Sequence, residues 1–350
     1  MQRHFRPRYP IFPWLVAAIC LLGGTAAPAC AQSVADFYHG KQLTLMVGSS
    51  PGGGYDAVAR LVARNLARHI PGNPNIIVQN TPGGGSISMT NRIFRGTVQD
   101  GSIIGLVQRG VLLSQLTKQP GVLYDLGKIN WIGSVAPEVG LVVSWETAQV
   151  KTVQDLLTKQ LIVGGTGVTS DLEASARLLN ATIGAKFKIV TGYAGQADVL
   201  LAMERGEIEG SADWSWDEIR SRHASYLEQH KINLILQHAL KKASDLPDVP
   251  LGIDYVKDPT DRKVAELYLG LKQIARPILA GPGVPADRVT ALRKAFMELK
   301  DDPEFKADAE KTGITADPTP SSEIDAFVKL TTSSPPEVVK RLADILNPHK

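Results

Sequence analysis

The chain has 350 residues, 43% hydrophobic, 21% charged and 6% aromatic, with 38 Lys and Arg against 35 Asp and Glu. That composition is globular and excludes a disordered, collagen-like or disulfide-stapled chain. A formal charge of +3 excludes the concentrated basic surface of a nucleic-acid binder, and the length predicts two lobes, because single cores stop growing at roughly 250–300 residues.

Residues 1–31 read as an export signal: Arg3, Arg6 and Arg8 form a basic start, Ile11 to Gly24 is apolar, and Ala29 and Ala31 are the small residues that cleavage after Ala31 requires. The apolar run is shorter than the roughly 20 residues of a spanning helix. A lipidated Cys30 would ordinarily have Leu three residues before it, where this chain has Ala27. Removal of the signal takes Cys20, Cys30 and three arginines with it, but no acidic residue. The remaining chain is balanced in charge and free of cysteine, which excludes thiolate catalysis and thiolate metal sites. No later segment is long and apolar enough to span a membrane.

The exported chain reads as strand, glycine-rich loop and helix, repeated. Leu43 to Val47 is a strand that runs into Gly48-Ser49-Ser50-Pro51-Gly52-Gly53-Gly54-Tyr55-Asp56. Val58, Leu61, Val62, Leu66 and Ile70 follow at helical spacing, and Pro71-Gly72 ends that helix. Ile76 to Val78 is a second strand, entering Pro82-Gly83-Gly84-Gly85-Ser86 and a second helix. Ile103 to Val107 is a third strand, ending at Gln108.

The pattern recurs further on. Leu141 to Val143 is a strand, and Thr152 with Asp155 is a capping box for a helix. Leu161 to Val163 leads into Gly164-Gly165-Thr166-Gly167-Val168-Thr169-Ser170-Asp171 and a helix with Leu172, Leu178 and Leu179. Phe187 to Val190 leads into Thr191-Gly192-Tyr193-Ala194-Gly195 and a helix with Val199, Leu200 and Met203. Ile208 opens a strand ending near Asp213-Trp214, and the C-terminal part is mostly helical, with Val289, Leu292, Phe296 and Leu299 as one stripe. Alternation of this kind predicts an α/β fold with mostly parallel sheets.

In such folds ligands sit beyond the carboxyl ends of the strands, where helix N-termini offer unpaired N–H groups to anions. Glycine loops in both halves of the chain point to a cleft. None ends in the Gly-Lys-Ser/Thr of a P-loop or matches the dinucleotide pattern. Gly48-Ser49-Ser50-Pro51-Gly52 fits the form of a hydrolase elbow, but Pro51 has no N–H to give an oxyanion and biases Ser50 toward extended backbone. The histidines His39, His69, His223, His230, His238 and His349 lack zinc-helix spacing. Asp56 reads equally as an N-cap and as a ligand-facing group. Trp214 reads equally as core packing and as a ligand wall beside Asp213.

Pro51-Gly52-Gly53-Gly54-Tyr55-Asp56 with Ala59-Arg60 resembles the first ligand loop of the tripartite tricarboxylate transporter receptors, the Bug family of extracytoplasmic solute-binding proteins. The resemblance continues through Asn80-Thr81-Pro82-Gly83-Gly84-Gly85, Asp100-Gly101, Gly192-Tyr193-Ala194-Gly195, Arg205-Gly206-Glu207-Ile208-Glu209-Gly210, Leu246-Pro247-Asp248-Val249-Pro250 and Gly281-Pro282-Gly283-Val284-Pro285. It spans nearly all of the exported chain in order.

The resemblance implies a two-lobed periplasmic binding protein fold of type II-like form with the ligand cleft between lobes. Lobe one takes residues 32–138 and 254–350, and lobe two residues 139–253. It implies a periplasmic receptor, a monomer without cofactor or metal and not an enzyme, that closes on a small organic anion, a carboxylate, and delivers it to the membrane components of a tripartite tricarboxylate-type transporter. Carried over by position, the ligand residues are Ser49, Gly53, Tyr55, Asp56, Gly84, Gly85, Ser86 and Gln108 from lobe one, with Thr166, Thr169, Ser170, Tyr193, Asp213 and Trp214 from lobe two. Tyr55 departs from the family's small hydroxyl residue, Gly84 from a common alanine and Ser86 from a common glycine. The rivals are a secreted enzyme acting on a carboxylic acid through Asp56 and Asp213, and a binding protein that signals to a sensor kinase.

Overall fold

Short apolar runs separated by glycine loops fold into two sheets rather than one. The computed structural model describes Met1, Gln2 and residues 32–347 apart from Thr97 and Thr169; beyond its first two residues, the export-signal reading therefore lies outside the described residues. The strands are β1 Gln42–Val47, β2 Asn75–Asn80, β3 Ile103–Leu106, β4 Asn130–Ser134, β5 Gly140–Trp145, β6 Leu161–Gly165, β7 Phe187–Thr191, β8 Gly210–Ser215, β9 Ile232–His238, β10 Pro277–Ala280 and β11 Thr319–Pro320. One sheet has the order β11-β4-β10-β3-β1-β2 and the other β7-β6-β8-β5-β9.

The two sheets are mixed, not mostly parallel. β1 runs parallel to β2 and β3, and β6 parallel to β7 and β8, as helical crossovers require. β10 is antiparallel to β3 and β4, β11 to β4, and β5 to β8 and β9. The chain order has β5 and β10 each entering its sheet from the other one, and no crossover helix dictates their direction. The strand expected from Ile208 begins at Gly210 and runs to Ser215.

Each sheet buries both faces. Leu43, Leu45 and Val47 alternate along β1 onto one side, where Val58, Leu61 and Val62 of helix Gly54–Leu66 and Leu292 and Phe296 of helix Ala286–Glu298 cover them. Met46 points the other way, toward Met89 and Ile93 of helix Ile87–Arg95. In the second sheet, Val142 and Val163 meet Leu156 and Leu179, while Leu141, Val143 and Trp214 meet Val199 and Met203. At roughly 1.5–3 kcal/mol for each fully buried large side chain, these stripes dominate the stability. Thr152 caps helix Val153–Thr158 by accepting from Asp155 N, as its spacing predicts.

Two segments join the sheets side by side. Val135 N donates to Arg276 O at 3.2 Å, Ala275 N to Ala136 O at 3.3 Å and Glu138 N to Lys272 O at 2.8 Å. The link from β4 to β5 is thus zipped to the segment leading into β10.

Candidate functional site

The carboxyl ends of β1, β2, β6 and β7 open into the glycine loops, and loops from the two sheets meet. A Cβ placed on Gly167 would lie 3.0 Å from Gly84 Cα and 3.0 Å from Gly85 N, and one on Gly195 would lie 1.9 Å from Ser50 Oγ. Gly53 abuts Gln196 in the same way, at 3.6 Å. Between these contacts lies a small cavity of about 40 Å³, open to solvent and lined by Ser49, Gly54, Tyr55, Gln108, Glu138, Thr166, Asp171, Leu172, Gln196, Asp213, Ser215, Glu218 and Arg276. Helices Gly54–Leu66, Asp171–Ile183 and Gln196–Glu204 each present their first residue to it, so three N-termini with unpaired N–H groups converge there.

A buried ionic cluster forms the floor. Arg109, 1% exposed, binds Glu138 Oε2 and Asp213 Oδ2 at 2.8 Å each and stands 3.3 Å from Asp171 Oδ1. Lys272, 0% exposed, lies 2.8 Å from Asp213 Oδ1, and Arg276 lies 2.7 Å from Glu138 Oε2. Ser175 Oγ donates to Asp213 at 2.6 Å. Burial pushes the Asp213 carboxyl up, but Lys272 and Arg109 outweigh it and hold the group well below the usual carboxylate range. Burial works against charge on Arg109 too, and Asp171, Glu138 and Asp213 more than restore it. Asp171 is raised, mainly by burial. Tyr55 Oη donates to Asp171 Oδ2 at 2.7 Å and its ring lies under Arg276, 4.2 Å from the guanidinium carbon.

Of the residues singled out by sequence, Ser49, Tyr55, Gln108, Thr166 and Asp213 line the cavity, and Gly53, Gly84 and Gly85 stand at the contacts between loops. Ser86 sits beneath the loops at φ 76°: its hydroxyl donates to Gly48 O at 2.9 Å and accepts from Gln108 N at 3.0 Å. Ser170 caps helix Asp171–Ile183, and Thr169 lies outside the described residues. Asp56 is neither an N-cap nor a cavity residue. Gly53 is the N-cap, and Asp56, in the first turn, accepts from Gly52 N, Arg60 Nε and Asn80 Nδ2 at 2.9, 2.9 and 3.0 Å. Those bonds lower its pKa against the opposing effect of burial. Tyr193 is half-buried and Trp214 fully buried in the apolar cluster of the second sheet. There Trp214 packs edge-on against His223 and Tyr226.

No family model matches this chain. A UPF0065 protein in the gbd 5' region of Cupriavidus necator is 26% identical over 351 residues, covering 97% of this chain and 98% of the relative. The periplasmic binding protein BugD superposes with a TM-score of 0.69 at 17% identity, over 88% of this chain and 97% of its own. MatC from Rhodopseudomonas palustris, solved with bound malate, superposes with a TM-score of 0.66 at 18% identity, over 87% and 99% of the two chains. The chain has the fold of the Bug-type periplasmic binding proteins.

Within the Bug-type fold, the ionic floor is what sequence reading missed. Arg109 had a signal, since it directly follows Gln108 at the carboxyl end of β3, where ligand groups gather. Lys272 and Arg276 had none, because Leu271-Lys272-Gln273-Ile274-Ala275-Arg276 reads as an ordinary amphipathic stretch. Glu173 was missed as well. It accepts from Gly167 N at 2.8 Å, Arg177 Nη2 at 2.7 Å and the Thr191 hydroxyl, bracing the loop that meets Gly84 and Gly85.

Proposed function

We propose that the chain is an exported, monomeric receptor that captures a small carboxylate between two lobes and delivers it to the membrane components of a tripartite tricarboxylate-type transporter, without turnover. The observation that carries this reading is the convergence of three helix N-termini on one cavity flanked by touching glycine loops. Backbone N–H groups there accommodate a carboxylate without a free arginine. The malate bound by the similar MatC protein supports the ligand class.

The proposed lobes are residues 32–138 with 254–350, and residues 139–253. The segment around Ala136, which leads directly into the crossing at 138/139 and is zipped to the segment around Ala275, is the natural hinge. Ligand contact is assigned to Ser49, Tyr55, Gln108, Thr166 and the N–H groups beside Gly53, Gly84 and Gly85. The enzyme reading required Asp56 and Asp213 at one reacting centre, and Asp56 instead anchors its own loop.

Thermal unfolding of the exported chain from Gln32, refolded to remove carried-over ligand, tests the reading against mono-, di- and tricarboxylates and their amides. A ligand at 100 times its Kd stabilises by about 2.7 kcal/mol. A shift with one carboxylate class, lost in its fully amidated analogue, supports the reading. A flat response from folded protein across the panel defeats it.

A further inference from the structure

The wall of the cavity carries more carboxylate than cation. Glu138, Asp171, Asp213 and Glu218 line it, against Arg276 alone, with Arg109 and Lys272 buried behind. Most of these carboxylates have partners: Glu138 holds both arginines, Asp213 holds Arg109 and Lys272, and Asp171 takes the Tyr55 hydroxyl. Glu218 is different. It is 6% exposed, and its buried Oε1 has no hydrogen-bond partner. The Trp214 indole approaches Glu218, but its N–H too is left without a bond. Among the described residues the one basic nitrogen within 4 Å is His223 Nε2 at 3.9 Å, beyond hydrogen-bond reach. Burial lowers the pKa of His223, with Arg222 adding to the effect, so that ring brings no charge near neutrality. The Glu218 side chain stands against the N-terminus of helix Gly54–Leu66, where a Cβ on Gly54 would lie 3.0 Å from Oε2.

A buried carboxylate oxygen without a donor is costly, and a ligand that supplies the donor relieves that cost. We infer that Glu218 forms a subsite for a hydrogen-bond-donating group of the ligand, so that the captured molecule carries an amine or amide N–H at one end and a carboxylate at the other. This deepens the carboxylate-receptor reading and rests on it. The helix N-termini take the anionic end, and Glu218 takes the donor end. A dicarboxylate places a second negative group against the Glu218 oxygens and is disfavoured.

The test is calorimetric titration with matched pairs: succinate against 4-aminobutanoate, adipate against 6-aminohexanoate, and terephthalate against 4-(aminomethyl)benzoate. Within the pair that binds, the amine-bearing member binds tighter by about tenfold or more, the value of one charge-assisted hydrogen bond. E218Q collapses that ratio toward one. A merely structural Glu218 would weaken both members equally and leave the ratio intact. If E218Q does not fold, the ratio in the unaltered protein decides alone. Equal binding within each pair, or preference for the dicarboxylate, overturns the Glu218 subsite and leaves the carboxylate receptor standing. Absence of binding by all six compounds overturns both.

Discussion

Gly167 and Gly84 touch backbone to backbone across the cleft, with no room between them for a methyl group: a Cβ on Gly167 would lie 3.0 Å from Gly84 Cα. Gly167 also has φ +130°, where side chains are strained. Alanine at 167 bears the backbone strain in every state, but the clash with Gly84 and Gly85 only when the loops meet. G167A is therefore expected to weaken carboxylate binding by about tenfold or more, equivalent to 1.4 kcal/mol, beyond its effect on unliganded stability. Calorimetric affinity alongside denaturant unfolding checks this, and unchanged affinity would refute loop contact as the closing step.

Tyr55 ties the loop after β1 to the head of helix Asp171–Ile183. Its hydroxyl donates to Asp171 Oδ2 at 2.7 Å, with Ala275 O at 3.3 Å, and accepts from Arg109 N at 3.3 Å. Y55F leaves a buried carboxylate oxygen without its donor, at a cost of about 1–3 kcal/mol. The expected readout is weaker ligand affinity accompanied by a lower midpoint in urea.

Lys272 has 0% exposure and both Asp213 oxygens within 2.8 Å. K272M keeps the side-chain volume but strips one cation from a buried carboxylate, a change that costs about 3–5 kcal/mol when the remaining charge is left uncompensated. Arg109 and Ser175 stay on Asp213, so the lower end of that range is expected in chemical denaturation. Full stability in K272M would show that Arg109 and Ser175 satisfy Asp213 without Lys272.

Sequence reading recovered the strands whose apolar runs feed a glycine loop, Leu43 to Val47, Ile76 to Val78, Leu161 to Val163 and Phe187 to Val190, and with them Ile103 to Val107, Leu141 to Val143 and the strand after Ile208. The strands Asn130–Ser134, Ile232–His238 and Pro277–Ala280 escaped it because they are specified by sheet partners far along the chain, not by local alternation. The site divides in the same way. Gly84, Gly85 and Tyr55 stand in motifs of adjacent residues, whereas Arg109, Glu138, Asp171, Lys272 and Arg276 become one cluster only when the two sheets are joined. Asp56 shows the converse: its motif is legible, but the first turn of the helix directs its carboxylate to Gly52, Arg60 and Asn80 instead of into the cavity.

Glu218 gives a pH-dependent prediction with a definite sign. Burial pushes its carboxyl up to about 7 from 4.5, with Arg222, Arg276 and the Trp214 indole opposing, Glu138 reinforcing, and His223 3.9 Å away. A raised folded pKa means that the folded chain holds this proton more tightly than the unfolded chain does. The stability it contributes is complete below pH 4.5 and is lost as pH rises through about 7. The Tm of ligand-free E218Q should therefore match the parent at low pH and rise above it on the alkaline side of neutrality. A constant gap between the two proteins from acid to alkaline pH would contradict a buried, unpaired carboxyl.

Small-angle scattering of the ligand-free and ligand-saturated protein, using the compound with the largest thermal shift, tests the central claim that a carboxylate closes two hinged halves upon itself. A smaller radius of gyration on saturation, with G167A remaining at the ligand-free value, is the predicted result. An unchanged radius of gyration at full saturation would mean that the ligand enters without hinge closure, and would contradict the account.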